Sequence, residues 1–158
     1  MNLASIYIKK LRNSGLRPTK QRIKICEVLF NTDKTFHFSI NELSTLINSK
    51  YSQKISLATI YNTVHAFKDK GYLKQIPLNA NQAYFDTNIS DHHHFYDVNE
   101  KKLIDLDNSD VGPINIYKKI SGKKIKSVEV LVKLEDWFNC LVKRHFNTID
   151  TQFRTIIN

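Results

Sequence analysis

The chain has 158 residues, of which 41% are hydrophobic and 25% charged, with 4 glycines, 3 prolines and 2 cysteines. That length holds one or two small cored domains; the low glycine and proline content argues against a long disordered segment, and no apolar run reaches the ~20 residues that span a bilayer. The net charge of +9 is one-sided, because residues 1–76 hold 13 Lys and Arg against 4 Asp and Glu whereas residues 77–158 hold 11 against 11, as expected of a basic nucleic-acid module joined to a neutral one.

The first residues, Met1–Ile6, have no basic head followed by an apolar stretch, and no membrane partner is expected. Cys26 and Cys140 lie far apart and neither belongs to a Cys-x-x-Cys, so the compartment reads as cytoplasmic. A first helix is expected over about Leu3–Leu11, stopped at Asn13-Ser14-Gly15. Thr19 caps a second, with Ile23, Cys26 and Phe30 inward. Ser39 with Glu42 three residues on forms a capping box for a third, which turns Ile40, Leu43, Leu46 and Ile47 inward. Ser56 caps a fourth that buries Leu57, Ile60, Val64 and Phe67, ending at Gly71.

Two strand-like runs, Leu73–Pro77 and Ala83–Asp86, flank a polar, Asn-rich turn and read as a hairpin. Helices followed by a hairpin in a basic module predict a winged helix-turn-helix, with the fourth helix in the major groove of duplex DNA. The second half is expected to be a small α/β module. Its strands are His94–Val98, Leu103–Leu106 and Lys124–Lys133, with one short helix after Pro113. A long amphipathic helix from Leu134 through Phe138, Leu141, His145, Ile149, Phe153 and Ile156 closes it. The fold class is therefore α+β, with a DNA-binding domain at 1–88 and a dimerisation and sensing domain at 89–158. Such an apolar tail suits a homodimer, and a two-fold protein reads inverted repeats.

On the fourth helix, Thr59, Tyr61 and Asn62 offer small or hydrogen-bonding groups to base edges, though the same residues would also serve as an ordinary exposed face. Arg17, Lys20 and Arg22 surround the start of the second helix, where cations position a protein on phosphates. His65 reads as a neutral surface histidine, His145 as a core or interface residue and Cys26 as a small hydrophobe.

The run Asp91-His92-His93-His94-Phe95-Tyr96 is the most chemically pointed stretch. In an extended chain His92 and His94 share one face and His93 takes the other. Two such imidazoles can bind a divalent metal, with Asp86, Asp105 and His37 as candidate partners. A polar strand end would look the same. A metal-dependent hydrolase would also need a nucleophile or a base motif such as HExxH, and the sequence offers neither. A winged-helix protein–protein module without DNA binding is opposed by the one-sided charge.

Gly15-Leu16-Arg17-Pro18-Thr19-Lys20-Gln21-Arg22, Ser56-Leu57-Ala58-Thr59-Ile60-Tyr61-Asn62-Thr63-Val64, Tyr84-Phe85-Asp86 and Leu103-Ile104-Asp105-Leu106 together resemble the ferric uptake regulator family over about residues 10–134. The resemblance implies a dimeric repressor or activator at inverted-repeat operators. Arg17 would reach toward the minor groove, and Tyr61 and Asn62 would touch bases or backbone. His37, Asp86, His92, His94 and Asp105 would be the ligands of a regulatory iron or manganese ion. The family's structural zinc is not expected, because the positions of its first cysteine pair fall on Asp97 and Glu100 and no second pair exists. That departure is similar to the iron response branch, whose histidine run followed by aromatics, here His92–Tyr96, is implicated in haem sensing. Haem would then bind through His92, His93 or His94, with a haem-delivering partner. The branch's Cys-Pro motif is missing, since Cys26 precedes Glu27 and Cys140 precedes Leu141. Direct ferrous or manganous sensing is the alternative.

Overall fold

The computed structural model describes residues 2–79 and 82–136. It divides into two compact units, one up to Ser90 and one from Asp91 onward.

The first unit holds helices α1 (Leu3–Asn13) and α2 (Lys20–Phe30), strand β1 (His37–Phe38), helices α3 (Ile40–Lys50) and α4 (Leu57–Asp69), and strands β2 (Lys74–Asn79) and β3 (Gln82–Asp86). Local chemistry sets the helix ends. Thr19 Oγ1 accepts from the Arg22 amide, and the Ser39 hydroxyl and Glu42 carboxylate satisfy each other's amides in the expected capping box. α1 and α4 end alike, with Gly15 and Gly71 at φ 71° and 72°. Past them the amides of Leu16 and Tyr72 reach back to the carbonyls of Leu11 and Phe67, each at 2.9 Å, closing Schellman caps that only glycine enters without strain.

The core gathers Leu11, Ile25, Cys26, Leu29, Leu43, Ile47, Ile60, Val64 and Phe67, with Phe38 and Phe85 from the sheet. Two inward assignments are corrected. Leu46 and Leu57 are 47% and 50% exposed. Leu57 opens α4 before the helix reaches the core; Ile55 fills that place instead, its amide held by Asn48 Oδ1 at 2.9 Å. On α3 the buried stripe is narrow and follows Leu43 and Ile47. On α2 the buried stripe is Ile25, Cys26, Val28 and Leu29, with Ile23 and Phe30 only half-buried at its margins.

β2 and β3 form the expected hairpin. β1 joins the other side of β3, giving the order β1-β3-β2. β1 has only two residues, paired His37 with Asp86 and Phe38 with Phe85. β2 is the outer strand and carries Pro77, with a register shift between Pro77 and Asn79.

In the second unit, β4 (His93–Asp97) pairs antiparallel with β5 (Lys102–Leu106) and parallel with β6 (Leu131–Leu134). The expected strand from Lys124 is corrected: the strand begins only at Leu131, and residues 124–130 precede it. An alternating pattern becomes a strand only where a neighbour offers hydrogen bonds, and β4 first meets this run at Val130, whose carbonyl accepts from the His94 amide at 3.0 Å. The short helix after Pro113 is likewise replaced by one 3-10 turn before it, Asn108–Asp110. The expected tail helix from Phe138 onward, with Cys140 and His145, lies outside the described residues; Leu134 ends β6.

Candidate functional site

Three groups of candidate residues lie on these elements. On α4, Tyr61 and Asn62 are exposed side by side, Tyr61 at 50%. Thr59 is half-buried, and its hydroxyl lies 2.9 Å from the hydroxyl of the N-cap Ser56 while its carbonyl accepts from Thr63 at 2.7 Å. Thr59 thus serves the helix start as well as its surface. At the start of α2, Arg17 just before it and Lys20 in its first turn are exposed. Arg22 is half-buried and its guanidinium donates to the Arg17 carbonyl at 2.9 Å, which makes it a brace for the loop that presents Arg17.

His65, which the sequence pattern places on the surface, is half-buried. Its ring centroid is 4.1 Å from that of Tyr61 and 5.4 Å from that of Phe85. Burial, then the neighbouring Lys68 cation, lower its pKa and favour the neutral imidazole. The signal available in the sequence is its spacing of four from Tyr61, which stacks side chains on one helix face.

The third group consists of two sets of metal-type donors, one in each unit. In the first, the β1–β3 pairing sets His37 opposite Asp86, with Nε2 to Oδ2 at 3.4 Å. Asp86 is fully buried, and its other oxygen accepts from the Asn88 amide at 2.7 Å. That turn bond fixes the carboxylate so that Oδ2 faces the imidazole. In the second, β4–β5 register places His94 opposite Asp105. Asp105 Oδ1 lies 3.3 Å from His92 Nε2 and 3.8 Å from His94 Nε2, and the two rings are 4.4 Å apart.

The strand's alternation turns His93 the other way, where its Nδ1 accepts from the Val130 amide at 3.2 Å. Cations with nitrogen and oxygen ligands at ~2.1 Å have neighbouring ligand atoms ~3 Å apart in an octahedral shell. The donor atoms of His92, His94 and Asp105 lie within 4.8 Å of one another, so they need move by about an ångström at most to accept one. The chemistry fits a divalent ion of intermediate hardness such as Fe(II) or Mn(II).

Cys26 offers no rival. It is fully buried, and burial pushes its thiol up to about 12, well out of the reactive range.

The sequence model of the ferric uptake regulator family matches residues 13–135. The chain belongs to that family. Among its relatives, the peroxide-responsive repressor PerR of Staphylococcus epidermidis is 33% identical over 99 residues, which are 63% of this chain and 64% of that protein. The peroxide operon regulator of Bacillus subtilis is 30% identical over 99 residues, 63% of this chain and 66% of that protein. The chain therefore spans just under two-thirds of the length of these curated relatives.

Among solved structures, the ferric uptake regulator of Vibrio cholerae aligns with a TM-score of 0.62 at 19% identity, covering 82% of this chain and 98% of that one. The Pseudomonas aeruginosa regulator with manganese aligns at 0.60 and 17%, covering 84% and 98%. These likenesses establish the α+β fold. Asp97 ends β4 and Glu100 lies in the turn that follows it. Asp97 Oδ1 accepts from the amides of Asn99 and Glu100, both at 2.9 Å. The turn between β4 and β5 is therefore closed by a carboxylate and its own backbone, with Lys101 at φ 54°.

Proposed function

We propose that this chain is a homodimeric, DNA-binding transcriptional repressor whose hold on inverted-repeat operators depends on a divalent cation. The observation that carries the reading is the pair of donor sets: a buried carboxylate facing His37, and one carboxylate oxygen facing both His92 and His94. His37, Asp86, His92, His94 and Asp105 would act as one nitrogen-and-oxygen donor set for Fe(II) or Mn(II), drawing on both units. The bound ion would supply the charge that holds those side chains together. Metal binding there would couple the cation's availability to operator affinity. Arg17 and Lys20 would meet phosphates, and Tyr61 and Asn62 would meet base edges, in keeping with the one-sided charge. The family is one of regulators, and the hydrolase reading finds no support in it.

The test uses purified, metal-stripped protein and duplex selected from a random pool by the manganese-loaded protein. Manganese is expected to tighten binding to the selected duplex at least tenfold, and His92→Ala/His94→Ala to abolish that gain while keeping binding to scrambled duplex. Equal affinity with and without metal would overturn the proposal.

A second reading, haem sensing as in the iron response branch, is supported by the resemblance, which implies that Asp97 and Glu100 stand where the family's first cysteine pair would be, and by the absence of any Cys-x-x-Cys in the sequence. Against it, His93 Nδ1 is already bonded to Val130. Haem titration of the wild type and of His92→Ala/His93→Ala/His94→Ala separates the two. Saturable 1:1 binding with a Soret shift lost in the variant would favour haem, with delivery by a partner protein; no saturable binding excludes it.

A further inference from the structure

We propose that His65 is a positioning residue for DNA reading, whose imidazole holds the Tyr61 ring in its outward pose and ties it through Phe85 to the β1–β3 strand pair. The proposal rests on the DNA-binding reading above and adds a residue to it.

Tyr61 is half exposed on the outer face of α4 and borders an open groove of about 560 Å³ lined by Ser39, Tyr61, His65, Gln75, Pro77 and Phe85 among others. A long aromatic side chain beside such space has more than one rotamer open to it, and fixing it on DNA costs conformational entropy. The ring at 4.1 Å, tilted by 35°, is that of His65 one turn further along the helix. His65 is itself held, meeting the Phe85 ring edge-on at 5.4 Å and 79°. Phe85 is 2% exposed and stacks at 5.8 Å on Phe38, also 2% exposed. The exposed reader ring is thus linked by one half-buried ring to two buried ones. Those two rings are the register pair next to His37 and Asp86, so the base-facing side chain and the first donor set share one rigid strand pair.

A side chain that merely fills space would behave differently. Its loss would lower stability and weaken every DNA alike, and any residue of similar volume would replace it. A positioning ring alters discrimination between sequences, and only another ring restores it.

The test compares the wild type with His65→Ala, His65→Leu, His65→Phe, Tyr61→Ala and the double variant Tyr61→Ala/His65→Ala, all manganese-loaded. It reads the ratio of affinities for the duplex selected by the wild type and for a scrambled duplex, with a thermal melt of each variant. Removing a ring–ring interaction is worth roughly 3- to 10-fold per protomer, hence about 10- to 100-fold in the ratio for a dimer. His65→Ala and His65→Leu are expected to lose that much, and His65→Phe to stay within about threefold of the wild type. The double variant should lose no more than Tyr61→Ala, because the two side chains act as one unit.

An unchanged ratio in His65→Ala, additive losses in the double variant, or equal behaviour of His65→Leu and His65→Phe would each overturn the proposal. A wild type that discriminates while Tyr61→Ala matches it would overturn it as well, with the DNA-binding reading intact. Only a wild type with no sequence preference removes both.

Discussion

Removing Arg17 and Lys20 together tests the placement of positive charge without knowledge of the operator. Both side chains are exposed at the start of α2, and neither belongs to the core. Each cation taken away from a phosphate lowers the slope of log affinity against log salt by ~0.9. Arg17→Ala/Lys20→Ala removes two cations per protomer and four per dimer, so the slope should fall by ~3.6 if all four reach phosphates. Between 50 and 200 mM salt, about 0.6 of a decade, that difference amounts to ~2 decades in relative affinity. Fluorescence anisotropy on a scrambled duplex at four or five salt concentrations measures it, because phosphates are the same in every sequence. The melting temperature should stay put, since exposed substitutions of this kind shift stability by ~0.5 kcal/mol or less. Parallel salt lines for wild type and variant would refute the placement of these cations on DNA. Arg22→Ala is the internal contrast. It removes the bond to the Arg17 carbonyl at 2.9 Å and is expected to lower stability as well as affinity.

Three further outcomes follow from the geometry. Asp105→Asn removes the negative charge of the carboxylate that faces both His92 and His94; calorimetric titration with Mn(II) should show affinity reduced by roughly 10- to 100-fold or more. An unchanged isotherm would remove Asp105 from the donor set. Ser39→Ala breaks the capping box in which its hydroxyl and Glu42 satisfy two amides; the cost should be ~1 kcal/mol, or about 4–8 °C in the melting temperature of a unit this small, read by circular dichroism. Cys26, with its thiol pushed up to about 12 by burial, should resist iodoacetamide at pH 8 in the native protein and react in urea, as peptide mass spectrometry can show. Equal labelling in both states would contradict its burial.

What the sequence reveals and what it hides divide along the range of the interaction. The caps at Thr19, Ser39 and Ser56 are local, three residues wide, and are legible as they stand. So is the alternation of His92, His93 and His94, because a strand's period is fixed by covalent geometry. β1 is not legible: two residues carry no periodic signal, and only β3, some fifty residues on, makes them a strand. The exposure of Leu46 and Leu57 depends on which neighbours reach them, which a helical pattern cannot state. The half-burial of His65 is hidden for the same reason, since Phe85 lies twenty residues away. The stretch at 111–128 has strand-like composition in part, yet among the described residues no strand lies in ladder register with it.

The outer strand of the hairpin has a further consequence, for how the protein behaves when crowded. Among the described residues β2 is an edge strand of its sheet, and an edge strand is a template on which a second copy can add its own. Pro77 removes a backbone donor from the middle of that edge, and the register shift up to Asn79 bends what remains. With Lys74 at its start, β2 offers a partner strand neither an unbroken row of donors nor a neutral surface. Two copies concentrated during purification are thereby discouraged from zipping together hairpin to hairpin.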